Sequence, residues 1–77
     1  MFSILDTVVL TRDIPDADLR RGDLGAVVEV YGANAFEVEF VVASGRTQAL
    51  ITLNAADLRH VDDHDLISVR HLVQAAG

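Results

Sequence analysis

The sequence predicts a mainly β domain, and three observations lead to that class. A β-branched run, residues 26–31, follows a glycine-containing turn at residues 20–25. Residues 36–40 alternate apolar and acidic side chains, which is the pattern of a half-buried strand. Turn-forming residues at 32–34 and 43–46 then divide the apolar segments into consecutive strands.

The first predicted strand, residues 4–10, leads into a long polar loop, residues 11–21. Pro15 lacks an amide N–H, which argues against a central strand in this loop. We expect Ile14 and Leu19 to point inward and to hold the loop against the core.

A tight turn is predicted between this loop and the second strand. Glycine reaches positive φ without steric cost, so Gly22 and Gly25 are expected to reverse the backbone there. Asp23 is expected to stabilise the turn by bonding nearby backbone groups. The second strand then covers residues 26–31, the third residues 35–42, and the fourth residues 47–53.

Strict alternation along these three strands predicts one shared core and one outer face. The outer face carries Glu37 and Glu39 on the third strand. The predicted core positions are Val28, Val30, Phe36, Val38, Phe40 and Ile51.

The last part of the predicted domain is a single turn followed by a short strand. Asn54 can cap a helix and Asp57 favours a first turn, which predicts one helical or 3₁₀ turn over residues 55–57. Residues 58–61 then form a closing strand. A long loop, two hairpins, one turn and a short final strand describe a small SH3-like barrel over residues 2–61, and barrel closure removes exposed strand edges.

Residues 62–77 are predicted to form a helical tail. One side of this helix would carry Leu66, Val69, Leu72 and Val73. Ile67 interrupts the stripe, and a strand that alternates Ile67 and Val69 against Ser68 and Arg70 is the alternative. An apolar tail needs a cover, and the expected cover is a second copy of the chain in a two-fold dimer; packing on the same barrel is the other option.

Composition limits the classes of function. The chain has 77 residues, which is enough for one domain, and no cysteine for a disulfide or a thiolate metal site. The formal net charge of −6 opposes binding to nucleic acid. No apolar run approaches the roughly 18 residues that span a bilayer, so we expect a soluble cytoplasmic protein with no membrane partner.

The sequence resembles a family of short bacterial proteins that is catalogued as a domain of unknown function. The resemblance covers residues 2–61 and is carried by residues 5–10, 14–15, 19–31, 36–40, 45–47, 50–53 and 58–59. It implies an SH3-like barrel and brings no catalytic residues. Residues 21–28 alone resemble KOW-type segments of ribosomal and transcription proteins, which tend to be basic and to contact RNA or polymerase.

No residue pattern predicts catalysis or a bound cofactor, so the protein is not expected to be an enzyme. The serines lack a nucleophile-elbow glycine pattern. Glu37 and Glu39 lie about 7 Å apart on one strand face, without a pocket or a partner acid. A cluster of imidazole and carboxylate groups suits a divalent metal, although acids before a helix are more simply its cap. That cluster is His60, Asp62, Asp63, His64, Asp65 and His71, and no residue in it is assigned as a ligand.

The predicted function is a non-enzymatic protein-interaction module, such as an antitoxin-like or accessory subunit. The acidic outer face suits a basic partner, whereas Arg20 and Arg21 either bind an acidic or main-chain group or pair with neighbouring aspartates. Candidate partner-binding residues are Arg20, Arg21, Glu29, Tyr31, Glu37 and Glu39. The alternatives are a KOW-like RNA- or ribosome-associated module and a metal-binding protein.

Overall fold

A computed structural model describes residues 1–72 of the chain and shows a mainly β fold, as predicted. The strands are β1 (Thr7–Leu10), β2 (Leu24–Val30), β3 (Ala35–Val41), β4 (Thr47–Asn54) and β5 (Leu58–His60). They form one antiparallel sheet in the order β4–β3–β2–β1–β5. Over the described residues no ladder joins β4 to β5, so the sheet is open.

The loop between β1 and β2 packs on the sheet as expected. Ile14 and Leu19 form an isolated antiparallel bridge across the loop. Leu19 is buried in the core and Ile14 packs against that core. A 3₁₀ turn, Pro15–Ala17, lies between them, with proline at a position where the missing N–H costs no hydrogen bond.

The turn predicted before β5 is also present, as the 3₁₀ turn Ala55–Asp57. The Asp57 carboxylate accepts a hydrogen bond from the Asn54 N–H at 3.1 Å, which ties the side chain back to the start of the turn. It also accepts a hydrogen bond from the Arg12 Nε at 2.8 Å. The long loop and the β4–β5 connection are therefore joined by one carboxylate.

The core lies on one face of the sheet and is mostly aliphatic. Phe2 extends it at the N-terminal end, where its ring meets the Phe36 ring edge-on with centroids 5.3 Å apart. The buried members are Val8, Leu10, Leu19, Val27, Phe36, Val38, Phe40, Leu53 and Leu58. Of the predicted core residues, Val30 and Ile51 are partly buried and pack against this cluster.

The prediction that Val28 belongs to the core is wrong, because β2 contains a bulge. Val27 lies opposite Val38, whereas Glu29 lies opposite Glu37, so β2 holds one more residue than β3 between these pairs. That extra residue is Val28, and it leaves Val27 fully buried in the core. Strict alternation therefore fails at one position.

Gly25 also has a different role from the one predicted. Gly22 has a φ of +95° and supplies the turn, whereas Gly25 is not among the positive-φ residues. It lies within β2, opposite Val8. A Cβ atom at Gly25 would lie 2.7 Å from the Cγ1 of Val38 and 2.8 Å from the Cε1 of Phe40. Glycine is needed here because the core leaves no room for a side chain.

The predicted helical tail is wrong over the residues that the structure describes. Residues 61–72 contain neither helix nor strand, and Val73 lies outside the described residues. Asp62–Asp65, expected to cap the helix, instead closes on itself: the Asp65 N–H bonds the Asp62 carbonyl oxygen at 2.9 Å, and the Asp65 carboxylate accepts the Asp62 N–H at 2.7 Å. In residues 1–72 no helix has the length and apolar character needed to cross a membrane.

Phe40→Ala should destabilise the domain by about 3–5 kcal/mol, because a buried ring is lost from a small core with few side chains to replace it. Its sequence neighbour Val41 is 56% exposed, so Val41→Ala is the matched control and should change stability little. Thermal and urea unfolding measure both. A Phe40→Ala protein that melts within a few degrees of the Val41→Ala protein would contradict the core assignment.

Gly25→Ala should destabilise the domain by about 1–3 kcal/mol, the usual cost of overpacking a core. The added methyl group meets Val38 and Phe40, which are both buried and cannot swing into solvent. Combining Gly25→Ala with Val38→Ala removes the nearest contact, so the double variant should lose less stability than the sum of the single ones. Additive losses in a urea-unfolding cycle would mean that the methyl group is accommodated elsewhere.

Candidate interaction surfaces

The structure divides the predicted partner-binding residues between two surfaces. One surface, called here the acidic face, consists of Glu29, Tyr31, Glu37 and Glu39 on the outer side of β2 and β3. The other is the turn that carries Arg20 and Arg21. The arginine turn precedes β2, which begins at Leu24, whereas the acidic face extends along β2 from Glu39, opposite Ala26, to Tyr31 just after the strand.

The acidic face brings like charges together. Glu29 and Glu37 are direct cross-strand neighbours, and such residues have Cβ atoms about 5 Å apart. Tyr31 follows β2 and is 50% exposed. Partial loss of water contact raises the pKa of Tyr31, and the negative charges of Glu37 and Glu29 raise that pKa further. Because Tyr31 lies two residues after Glu29, its side chain is on the same face as Glu29 and its cross-strand neighbour Glu37.

Glu39 continues this face along β3. Its carboxylate accepts a hydrogen bond from the Thr47 hydroxyl at 2.6 Å. Its cross-strand neighbour on β4 is Leu50, which is 54% exposed. Within residues 1–72 no salt bridge neutralises Glu29, Glu37 or Glu39. The face thus combines uncompensated negative charge with one aromatic and one aliphatic side chain.

The arginine turn is ordered through its backbone. The Arg20 N–H donates to the Asp23 carboxylate and the Arg21 N–H donates to the Asp13 carboxylate, each at 2.8 Å. In the described part of the chain, neither guanidinium group forms a salt bridge. The predicted bond from Asp23 to the local backbone is confirmed.

Asp23 also holds the C-terminal segment, through a contact that the sequence pattern did not indicate. The Arg70 guanidinium donates to both Asp23 carboxylate oxygens, at 2.9 Å from Nε and 2.6 Å from Nη2. Its Nη2 also donates to the Asp18 carbonyl oxygen at 2.8 Å. The side chains of Arg70 and Asp23 are 26% and 18% exposed, so this bidentate pair is partly shielded from water.

A second ion pair fixes the same segment five residues earlier. Arg59 on β5 donates to both carboxylate oxygens of Asp65, each at 2.8 Å. These hydrogen bonds, together with the Asp62 N–H, lower the pKa of Asp65 to about 2. We call residues 65–70 the strap, because arginine–aspartate pairs hold one of its ends to β5 and the other to the turn before β2.

The strap covers the outer side of β1. Val8 and Leu10 point into the core, so Val9 points the opposite way, yet it is only 3% exposed. Val9 lies in a groove lined by Leu24 and by strap residues 65–68 and 70. The residues predicted for a dimer interface are thereby separated: Leu66 and Val69 are exposed, Leu72 is half-buried, and Val73 lies outside the described residues.

The histidine–aspartate cluster is dispersed among separate contacts. His60 lies beside the Phe2 ring, with centroids 4.6 Å apart, and its Nε2 is 3.5 Å from the Asp6 carboxylate. His64 instead contacts Asp62, and Asp65 is held by Arg59 as described above. Across residues 1–72, no three histidine, aspartate or glutamate side chains are placed to hold a metal ion.

These features define the class of protein: a small antiparallel β domain with an acidic face and a strap held by ion pairs. Residues 4–60 match the family described as Domain of unknown function (DUF4926), and the chain belongs to that family. The match ends before the strap begins. No curated protein and no solved structure matches the chain.

The Arg70–Asp23 pair gives a testable pKa. Partial burial alone would raise the pKa of Asp23, but the hydrogen bonds from Arg70 and the Arg20 N–H, with the charges of both arginines, outweigh it and lower that pKa below 3.8. Arg70→Gln should therefore raise the pKa of Asp23, which carboxyl-carbon NMR measures. Arg12→Gln removes an arginine that binds Asp57 instead and should leave Asp23 unchanged.

The sign of the pH dependence follows from this depressed pKa. The pair stabilises the fastened strap fully above the ordinary aspartate pKa of about 4, and this contribution disappears as the pH falls through the lower folded-state pKa. Arg70→Gln should weaken that acid dependence, because only the Arg20 N–H and the Arg20 charge would still lower the pKa of Asp23. An Asp23 pKa that does not respond to Arg70→Gln would show that the pair is not formed in solution.

Proposed function

We propose that this protein is a non-enzymatic interaction module of SH3-like build, which binds a basic segment of a partner protein on its acidic face. The observation that carries the proposal is the convergence of Tyr31, Glu29 and Glu37 at the end of β2. These residues are separate in the sequence pattern, and the β2–β3 pairing places them together.

The chemistry of the face suits an arginine or lysine side chain. A cation over the Tyr31 ring gains a cation–π attraction. The same cation can donate charge-assisted hydrogen bonds to the carboxylates of Glu29 and Glu37. Leu50, beside Glu39, offers apolar contact for the aliphatic part of such a side chain. Further basic residues in the partner would then meet Glu39.

The build of the domain supports the finer fold assignment. A five-stranded order that returns β5 to β1, a long loop after β1 and a 3₁₀ turn before β5 are the features expected of an SH3-like barrel. An accessory or toxin-neutralising subunit belongs to this class of module. Such folds host many unrelated functions, so the proposal rests on the acidic face and not on the fold.

The test is a titration of the isotope-labelled protein with a short arginine-rich peptide, followed by NMR at about 150 mM salt. We expect amide shifts that cluster at Glu29, Tyr31 and Glu37, because binding places a cation among these side chains. Glu29→Gln combined with Glu37→Gln should weaken binding at least tenfold, by removing both flanking carboxylates. The matched control, Asp16→Asn with Asp63→Asn, removes the same charge from exposed positions elsewhere and should bind nearly as the wild type does.

Single-stranded RNA in place of the peptide tests the KOW-like alternative. With a net charge of −6, binding at physiological salt should be weaker than about 100 μM, the weak end of non-specific association. Micromolar RNA binding that causes shifts at the amides of Arg20 and Arg21 would overturn the proposal in favour of an RNA-associated module.

In the peptide titration, equal affinity of the Glu29→Gln/Glu37→Gln and Asp16→Asn/Asp63→Asn proteins would contradict the proposed site. It would show that the peptide is attracted only by the overall charge.

A further inference from the structure

The strap holds apolar side chains in water. Leu66, Ile67 and Val69 are 90%, 62% and 97% exposed. A free apolar tail can turn such side chains inward, but here the ion pairs of Asp65 and Arg70 fix both ends of the segment. Two bidentate ion pairs therefore keep the apolar side chains of residues 66–69 exposed. Such an exposed apolar surface is typical of an interface.

We propose that the outer side of the strap is the interface of a two-fold dimer, and that its occupant is a second copy of this chain. A two-fold axis places the same patch of both copies in contact, so the patch must tolerate its own charge. Residues 66–69 carry no charge, and the flanking Asp65 and Arg70 are each neutralised within their own chain. The straps of two copies can therefore pack against each other without charge repulsion.

The rest of the surface makes self-association elsewhere less favourable. Two copies of a chain with a net charge of −6 repel one another. An interface through the acidic face would place uncompensated Glu29, Glu37 and Glu39 against the same residues of the second copy. The strap combines apolar exposure with local neutrality, and this charge argument favours a second copy over a strongly charged partner.

The strap has apolar neighbours that enlarge the interface. Leu24, which is 37% exposed, lines the same groove as Leu66 and Ile67. Val61, which is 38% exposed, lies between β5 and the strap in the sequence. Stable interfaces bury about 1,200–2,000 Å² in total, so three side chains alone would not be enough. A domain of 77 residues also gains proportionally more from added burial than a large domain does.

The proposal is independent of the acidic face, because the two surfaces share no residue: residues 66–69 form the one, whereas Glu29, Tyr31, Glu37 and Glu39 form the other. A dimer through the strap leaves both acidic faces outside the interface formed by residues 66–69. Failure of the peptide titration would thus leave the dimer proposal standing, and the reverse also holds.

Light scattering and sedimentation of the full chain test the proposal. The wild type should have twice the mass of its 8.3 kDa chain at concentrations approaching about 1 mM, the weak end of specific association. Leu66→Ser with Val69→Ser should be a monomer with an unchanged circular dichroism spectrum, because neither side chain supports the fold of one copy. The matched control is Ile4→Ser with Leu50→Ser, which are each 54% exposed and line neither groove beside the strap, and it should remain a dimer.

Three results would overturn the proposal. The first is a wild-type protein that stays monomeric over the whole concentration range. The second is a Leu66→Ser/Val69→Ser protein that still dimerises, which would place the interface elsewhere. The third is dissociation of both double variants alike, which would show that general surface hydrophobicity and not the strap holds the copies together.

Discussion

The carboxylate of Asp23 connects the parts of the structure that are distant in sequence. It accepts the Arg20 N–H, which closes the turn before β2, and it binds the Arg70 guanidinium, which fastens the strap. The Asp23 backbone carbonyl accepts the Leu10 N–H at 3.0 Å and so joins this turn to the end of β1. The long loop, the sheet and the C-terminal segment are therefore connected through Asp23. In a small domain without cysteine, these polar contacts link segments that a disulfide could otherwise join.

Acidic residues serve two different purposes in this chain. Asp23, Asp57 and Asp65 are bound to arginines and stabilise connections between segments. The glutamates of the acidic face have no such partner among residues 1–72, and cross-strand pairing of like charges is unfavourable for the sheet. This loss of stability is expected where charges bind a partner outside the domain. For that reason the acidic face, and not the bound aspartates, supports the proposed function.

Sequence reasoning succeeded where a structure is determined locally. Alternation located Phe36, Val38 and Phe40 in the core, and the glycine turn and the 3₁₀ turn before β5 depend on residues within a few positions of one another. It failed where distant residues decide the outcome. The tail was predicted as a helix because periodicity reports only local amphipathicity, whereas Arg70 is held by Asp23, 47 residues earlier. The packing around Gly25 is likewise visible only when Val38 and Phe40 are placed beside it.

Because of its bulge, β2 can lose a residue at position 28 with less disruption than at neighbouring positions. Removing a residue elsewhere in a strand exchanges its inner and outer faces, because side chains alternate with a period of two. Removing Val28 would instead leave Val27 and Val30 facing inward and Glu29 and Tyr31 facing outward, since Val28 is the additional residue. Deletion of residue 28 should therefore be tolerated more readily than deletion at other positions of β2, although the strand would lose the twist that a bulge provides.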